Sequence, residues 1–233
     1  MLKAEFHIHI DLDPKDNIKY NYKQLIDRAA ALKYDVLAIT CHDKVVVNSE
    51  MQKYAESKNI LLISGAELTI QKKHVLVYNV SEEERIQIKS FEDLKKLKQI
   101  RKDILILAAH PFYYGSSCLK NIILKYLDLF DAWEYSFFYH QYINPNRKVF
   151  KLSQRFKKPL LGNSDLHNLK YLGKTYTLIQ AKKSQNDIFK AIKAGKVQII
   201  TNSLSNLEFL SISFWVISSP LRNHRNPTTL DSI

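Results

Sequence analysis

Apolar and polar positions alternate along the chain in short runs of two kinds. Ala4 to Ile10 is an apolar run of strand length, and Asn21 to Leu32 sets Tyr22, Leu25, Ile26, Ala29 and Ala30 on one face at helical spacing. Val36 to Thr40 is apolar almost throughout, as a buried strand must be. Ser49 to Ser57 opens on a serine able to cap a helix, and the extended runs Ile60 to Ala66 and His74 to Val80 flank the polar turn Gln71-Lys72-Lys73, which suits a hairpin. Three helix-then-strand pairs follow: Phe91 to Ile100 with Ile104 to Ala109, Leu119 to Leu127 with Ala132 to Tyr135, and Asn146 to Phe156 with Pro159 to Asn163. Strand Lys174 to Ile179, a helix from Gln185 to Ala194 ended by Gly195, and strand Val197 to Ile200 close the series. Strands alternating with helices predict a largely parallel α/β sheet, open or rolled into a barrel.

Length and composition narrow the organisation. The 233 residues hold only 5 glycines and 6 prolines, so nothing reads as a long linker, and residues 1–205 are expected to form one catalytic domain. Residues 206–221 include the apolar stretch Leu207 to Leu221, which is broken by serines and ended by Pro220; it is expected to pack on that domain, followed by a flexible tail over 222–233. No apolar run approaches the roughly 18 residues of a membrane span, and Met1 to Asp13 carries His and Asp where a signal peptide needs an apolar core. Two cysteines, Cys41 and Cys118, are too few for a disulfide framework, which agrees with the cytoplasm. The net charge of +12 attracts phosphates, nucleic acid or anionic membrane through its long-range field.

The chemistry gathers at strand ends. Six of the 8 histidines, His7, His9, His42, His74, His110 and His167, stand at the ends or edges of expected strands. His7 and His9 are two apart on one strand and so share a face; Asp165 and His167 repeat the spacing after the strand ending at Asn163. His42, Glu67 and His110 each follow a strand directly. In a parallel α/β sheet those carboxyl ends converge on one face, and His74 joins them if its strand returns antiparallel. Any one of these histidines alone reads as a hydrogen-bonded rim residue, whereas together they read as a metal centre. Nitrogen and oxygen donors suit zinc, manganese or iron, and the number of donors implies two or three ions. His140 and His224 stand outside these positions, and Glu134, late in its strand, takes no clear role.

In Phe6-His7-Ile8-His9, Thr40-Cys41-His42-Asp43, Gly65-Ala66-Glu67, His74-Val75-Leu76, Ala109-His110-Pro111 and Asn163-Ser164-Asp165-Leu166-His167, the chain resembles the polymerase and histidinol phosphatase (PHP) family. The resemblance implies a distorted (β/α)7 barrel with its metals at the carboxyl ends of the strands, and phosphoester hydrolysis. Carried over by position, it implies His7, His9, Glu67 and Asp165 around one metal, Glu67, His74 and His110 around a second, and His42 and His167 around a third. For the family's early third-metal ligand Asp11, Asp13 and Asp16 compete, and Lys15-Asp16-Asn17 looks most like the family's turn, which favours Asp16. Cys41 and Glu5 stand where the family usually has Asp; Cys41 reads as a packing thiol rather than a metal neighbour.

The expected reaction is attack by a metal-bound hydroxide on a phosphomonoester or phosphodiester, with Glu67, His110, Asp165 and His167 as the catalytic set: Asp165 or His167 orients the nucleophile and His110 assists the leaving oxygen. Lys44, Arg147 and Lys174 are candidates for binding substrate phosphate. A phosphorylated small molecule is the expected partner. One rival is a nuclease acting on nucleic-acid ends, with Phe112, Tyr113 and Tyr114 stacking bases and a basic groove leading to the site. Another is a metal-binding regulatory module without turnover.

Overall fold

Strand β1 divides its free edge between two partners, and the barrel is shaped around that division. The computed structural model describes residues 1–223. β1 (Leu2–Ile8), β2 (Val36–Ile39) and β3 (Leu61–Ile70) run parallel. β4 (Lys73–Tyr78) returns antiparallel through a turn in which Gln71 and Lys72 take left-handed backbone, and β5 (Leu105–Ala108) is antiparallel to β4. β6 (Ala132–Ser136) and β7 (Leu160–Asn163) then continue parallel to β5. The chain leaving β7 meets the upper half of β1, where the Leu166 amide donates to the His7 carbonyl at 2.9 Å and the His9 amide to the Leu166 carbonyl at 3.2 Å. The lower half, Leu2 to Ala4, instead pairs antiparallel with β8 (Thr175–Ile179), which carries β9 (Val197–Thr201) on its outer side. The result is a mixed α/β fold around a nearly closed, barrel-shaped sheet.

A bulge in β1 aims the first two histidines. Between Glu5 and Ile8 the strand spends one residue more than β2 does between Leu37 and Ile39. An extra residue reverses which face successive side chains take. Ala4 and Phe6 therefore belong to the barrel's inner cluster with Val36, Ala38 and Leu107, while Ile8 and Ile10 pack outward with Leu37 and Ile39 against helices α1 (Tyr22–Ala31) and α2 (Ser49–Ser57). His7 and His9 are left on the inner face at the mouth. Leu76, Leu105 and Ile188, the last from α7 (Gln185–Lys193), complete the inner core.

The helices follow their caps. Asn21 and Gln24 form a reciprocal capping box at α1, and Asn48 rather than Ser49 caps α2. α3 (Glu82–Gln87) is absent from the sequence reading: it has a capping box at Ser81 and Glu84 but buries no residue, so it leaves no apolar stripe. α4 (Phe91–Ile100) and α6 (Asn146–Phe156) lie where expected, whereas only Ile122–Lys125 (α5) is helical within 119–127, its start lacking any side-chain cap.

The last helix, α8 (Asn206–Asn223), begins with Ser205 and Glu208 bonding each other's backbone amides, and Lys174 Nζ reaches Glu208 Oε1 at 2.8 Å. Phe209 and Ile212 pack on the outer core and Phe209 stacks on Phe138, while Leu207, Leu210 and Phe214 are exposed. Pro220 does not end the segment: a proline forfeits one amide hydrogen bond, and the helical backbone continues to Asn223. Of the tail expected over 222–233, residues 224–233, with His224, lie outside the described residues. No described helix is long and apolar enough to cross a membrane.

Gly162 sits where β7 passes against the antiparallel β8–β9 pair. A Cβ there would stand 2.7 Å from Ile199 Cγ2, 2.9 Å from Thr175 Cγ2 and 3.1 Å from the Tyr176 carbonyl oxygen. Gly162→Ala is expected to destabilise by about 1–3 kcal/mol, the usual cost of overpacking, seen as a lower urea midpoint; an unchanged midpoint would mean the seam is looser than this geometry.

Candidate metal centre

The inner mouth of the barrel brings the nine expected ligand residues together, five of the histidines around the carboxylate of Glu67. Glu67 is 1% exposed and lies within β3, which runs on to Ile70 because Glu67 already pairs with Leu76 of the β4 hairpin; it is not at the strand's end as the sequence suggested. Its Oε2 stands 3.3 Å from His7 Nε2, 3.5 Å from His9 Nε2 and 3.1 Å from His42 Nε2. Its Oε1 stands 2.9 Å from His74 Nδ1 and 3.2 Å from His110 Nε2. Asp165 supplies a second focus, with Oδ1 3.3 Å from both His7 Nε2 and His9 Nε2 and 3.4 Å from His167 Nδ1. Asp16 Oδ2 joins His167 Nε2 at 3.1 Å and His42 Nδ1 at 3.3 Å.

Two carboxylates outside the favoured ligand set, Asp13 and Glu134, hold it in place. The buried Asp13 accepts from His9 Nδ1 at 2.7 Å and from the His42 amide at 2.8 Å, and its other oxygen takes the amides of Lys15 and Asp16. Of the three early aspartates, both Asp13 and Asp16 thus reach the cluster, while Asp11 is exposed. Glu134, fully buried, accepts from His7 Nδ1 at 2.8 Å, from the His110 amide at 2.5 Å and from Asn163 Nδ2 at 3.1 Å. A charged residue inside an apolar strand was the available signal for Glu134. Glu5, also buried, accepts from the Ser164 amide and hydroxyl and so ties β1 to the end of β7; burial, only partly offset by those bonds, pushes its carboxyl up to about 8.

Electrostatics follow from this density of groups. Burial alone would raise the Glu67 carboxyl, but the His74, His7 and His42 rings hold it well below the usual range. Asp165 is likewise held low against its burial by His7 and His167. Burial works against a charge on His7, yet Asp165, Glu134 and Glu67 draw its proton affinity well above the ordinary value. Protons and cations therefore compete for the same nitrogens. Asp43, His110 and Asp165 all carry left-handed backbone, with φ of 47°, 26° and 43°. Strain of this kind costs on the order of 1 kcal/mol per residue and persists where surrounding contacts enforce it.

The donor set fits divalent cations. His7 Nε2, His9 Nε2 and His74 Nδ1 are buried and make no hydrogen bond. For His7 and His9 the opposite ring nitrogen, Nδ1, is held by a carboxylate, which turns Nε2 inward, the usual support of a metal-ligating histidine. Three overlapping groups, His7-His9-Asp165, His9-Asp13-His42 and His42-Glu67-His74, each bring three ligand atoms within 4.8 Å of one another. Cys41 belongs to the outer core, where burial pushes its thiol up to about 12.

The three basic candidates are placed differently. Lys44 is exposed one residue beyond Asp43, Arg147 is exposed on α6, and the Lys174 ammonium is paired with Glu208. Of the aromatics after His110, Phe112 is half-buried against the core, Tyr113 donates its hydroxyl to the Phe138 carbonyl at 2.8 Å, and Tyr114 is exposed. Beside Asp165 and His167 opens a groove of about 600 Å³, walled by Ile18, Phe137, Phe138 and Tyr171 and completed by Ser211 and Ile212 of α8.

Comparison with known proteins places this architecture. The family model described as PHP-associated matches residues 144–197, a stretch that includes Asp165 and His167. No curated protein sequence matches the chain. Among solved structures, PsfC from Pseudomonas syringae PB-5123 is 17% identical, with a TM-score of 0.64 over 95% of this chain and 98% of that one. A proposed metal-dependent phosphoesterase from Bifidobacterium adolescentis is 13% identical, with a TM-score of 0.50 over 71% of this chain and 87% of that one. The lesion-specific endonuclease PfuEndoQ from Pyrococcus furiosus is 16% identical, with a TM-score of 0.59 over 91% of this chain and 66% of that one. At these identities the likeness is one of fold.

Proposed function

We propose that the chain is a PHP-type domain and a metal-dependent phosphoesterase whose catalytic unit is residues 1–205, with α8 completing the wall of its groove. The observation that carries the reading is Glu67, whose two oxygens are shared among five histidines at the mouth of a barrel. His7, His9, His42, His74, His110, His167, Asp16, Glu67 and Asp165 are the proposed ligands of two or three ions of zinc, manganese or iron, and Asp13 and Glu134 orient His9 and His7. Divalent cations bound here supply a nucleophilic water at neutral pH and charge neutralisation for the phosphoryl group. Glu67 keeps its negative charge between the two halves of the cluster. Asp165 and His167, which line the groove, accept and steer the proton of the attacking water. His110 faces Glu67 through Nε2, the nitrogen that would hold a metal, so the proposed proton for the leaving oxygen would come from its other ring nitrogen, Nδ1, which lies 3.5 Å from Cys118 Sγ.

A phosphorylated small molecule is the proposed substrate: Lys15 and Lys174 are paired with Asp43 and Glu208, which leaves Lys19 and Lys170, on the groove wall, as the cations to meet its phosphate. The test is a panel of phosphomonoesters, phosphodiesters and single-stranded oligonucleotides, run with the zinc-, manganese- or iron-loaded chain. Chelator-sensitive hydrolysis of small esters is expected; no chelator-sensitive hydrolysis with any metal overturns the reading. Turnover of oligonucleotides alone, with binding whose log-log salt slope is about −0.7 per phosphate contacted, favours the nuclease instead.

A further inference from the structure

The barrel's other end carries a second concavity. Lys95 and Lys98 of α4, Arg101 and Lys102 beyond it, the stretch from Leu124 to Leu129, and Lys193 of α7 line a cavity of about 450 Å³. Lys102 leads into β5 and Leu129 into β6, whereas His110 leaves β5 at its opposite end, so the strands themselves separate this cavity from the histidine cluster.

Not all of its cations are available. Arg101 is committed to Asp103, Glu84 and the Asn79 carbonyl. Lys98 gives its three protons to the Asp128 carbonyl at 3.0 Å, the Leu129 carbonyl at 2.7 Å and Asp131 Oδ1 at 2.8 Å. Lys193 spends two on the carbonyls of Lys102, at 3.2 Å, and Ile104, at 2.8 Å, which pins its ammonium at the cavity wall with one proton to spare. Lys95, Lys102 and Lys125 are exposed and form no ion pair among the described residues. Four ammonium groups thus keep donors to offer, against the single lining carboxylate Asp128. They converge from three separate parts of the chain onto a concave surface floored by Leu124 and Leu127. A face that is merely solvated has its lysines along one helix, and a nucleic-acid surface has them along a track. Four ammonium groups around one concavity match the charge of a short chain of phosphates better than that of a lone phosphate.

We propose that this cavity is a second anion site, distinct from the histidine cluster, which takes a compact polyphosphate-bearing small molecule. The probe is inorganic tripolyphosphate, titrated calorimetrically into the full metal-loaded chain, into the cavity variant Lys95→Glu/Lys102→Glu/Lys125→Glu, and into the control Lys53→Glu/Lys151→Glu/Lys182→Glu, which changes net charge equally through exposed lysines elsewhere. Affinity should fall at least tenfold in the cavity variant and less than threefold in the control, with hydrolysis at the histidine cluster unchanged in both. Equal losses in the two variants would show a general charge effect and overturn the site. So would binding that survives in the cavity variant but disappears in Glu67→Ala, which would place the probe at the mouth. Tighter binding of a single-stranded 12-mer than of tripolyphosphate, lost only in the cavity variant, would also overturn it and make the surface one for nucleic acid. Circular dichroism on each variant confirms that the comparison is between folded chains.

Discussion

Replacing Glu67 with alanine is expected to remove at least one equivalent of bound metal and to reduce chelator-sensitive phosphoester hydrolysis at least about 100-fold, because electrostatic stabilisation worth several kcal/mol leaves with the shared carboxylate. Cations on either side of Glu67 would then face one another without the negative charge between them. The fold should survive, since the residue's backbone pairing with Leu76 needs no side chain. His140→Ala is the matched control: that ring accepts from the Tyr142 amide and packs on Phe209, outside the cluster. Elemental analysis and activity, read together, decide. Wild-type metal content and rates in both variants would sink the bridging role; loss of metal with loss of circular dichroism in both would locate the effect in stability, and Glu67→Gln, which keeps the shape while removing the charge, then separates the two.

The second large effect belongs to Glu134. Glu134→Ala leaves His7 Nδ1, the His110 amide and Asn163 Nδ2 without their common acceptor in a fully buried place. Two consequences should appear together: a loss of metal affinity of about 10- to 100-fold, as when the support of a ligating histidine is removed, and a stability loss of about 1–3 kcal/mol from unsatisfied buried donors. Glu134→Gln retains an acceptor for some of these donors and should recover most of the stability but less of the affinity. Competition against a chromophoric chelator measures the first and urea denaturation the second. If Glu134→Ala bound metal as tightly as the parent chain, the Nδ1 contact would not be what orients His7.

Much of this centre was legible because its ligands lie at places that a linear pattern can mark. His7 and His9 carry a period of two, and His42, His110 and Asp165 sit at transitions from apolar runs to polar turns, which in a parallel barrel share a rim. Glu134 is not legible in this way, since it owes its role to His7 and the His110 amide, far from it in sequence, whereas Asp13 stands among the three early aspartates and is singled out only by its bonds to His9, four residues back, and to the distant His42 amide. The bulge in β1 was invisible for a related reason: Phe6 and His7 facing the same side contradicts simple alternation, and only the register against Leu37 and Ile39 reveals the extra residue. Expected helix 119–127 shrank because apolar periodicity persisted where capping did not, and α3 escaped for the converse reason.

The division of β1 between two partners has a consequence for how the protein is made. The segment that completes the upper edge, around Leu166, emerges from the ribosome long after the strand it joins, and β8, which covers the lower edge, emerges later still. Until then a nascent chain already holding β1 through β7 exposes parallel strand edges that favour association with other chains. The carboxylate of Asp165 arrives with that same closing segment. Closure of the barrel and completion of the cluster are thus a single late event, and a chain released before residue 160 would present five of the six clustered histidines on an open sheet. Pairings so distant along the sequence also predict slow folding for a domain of this size.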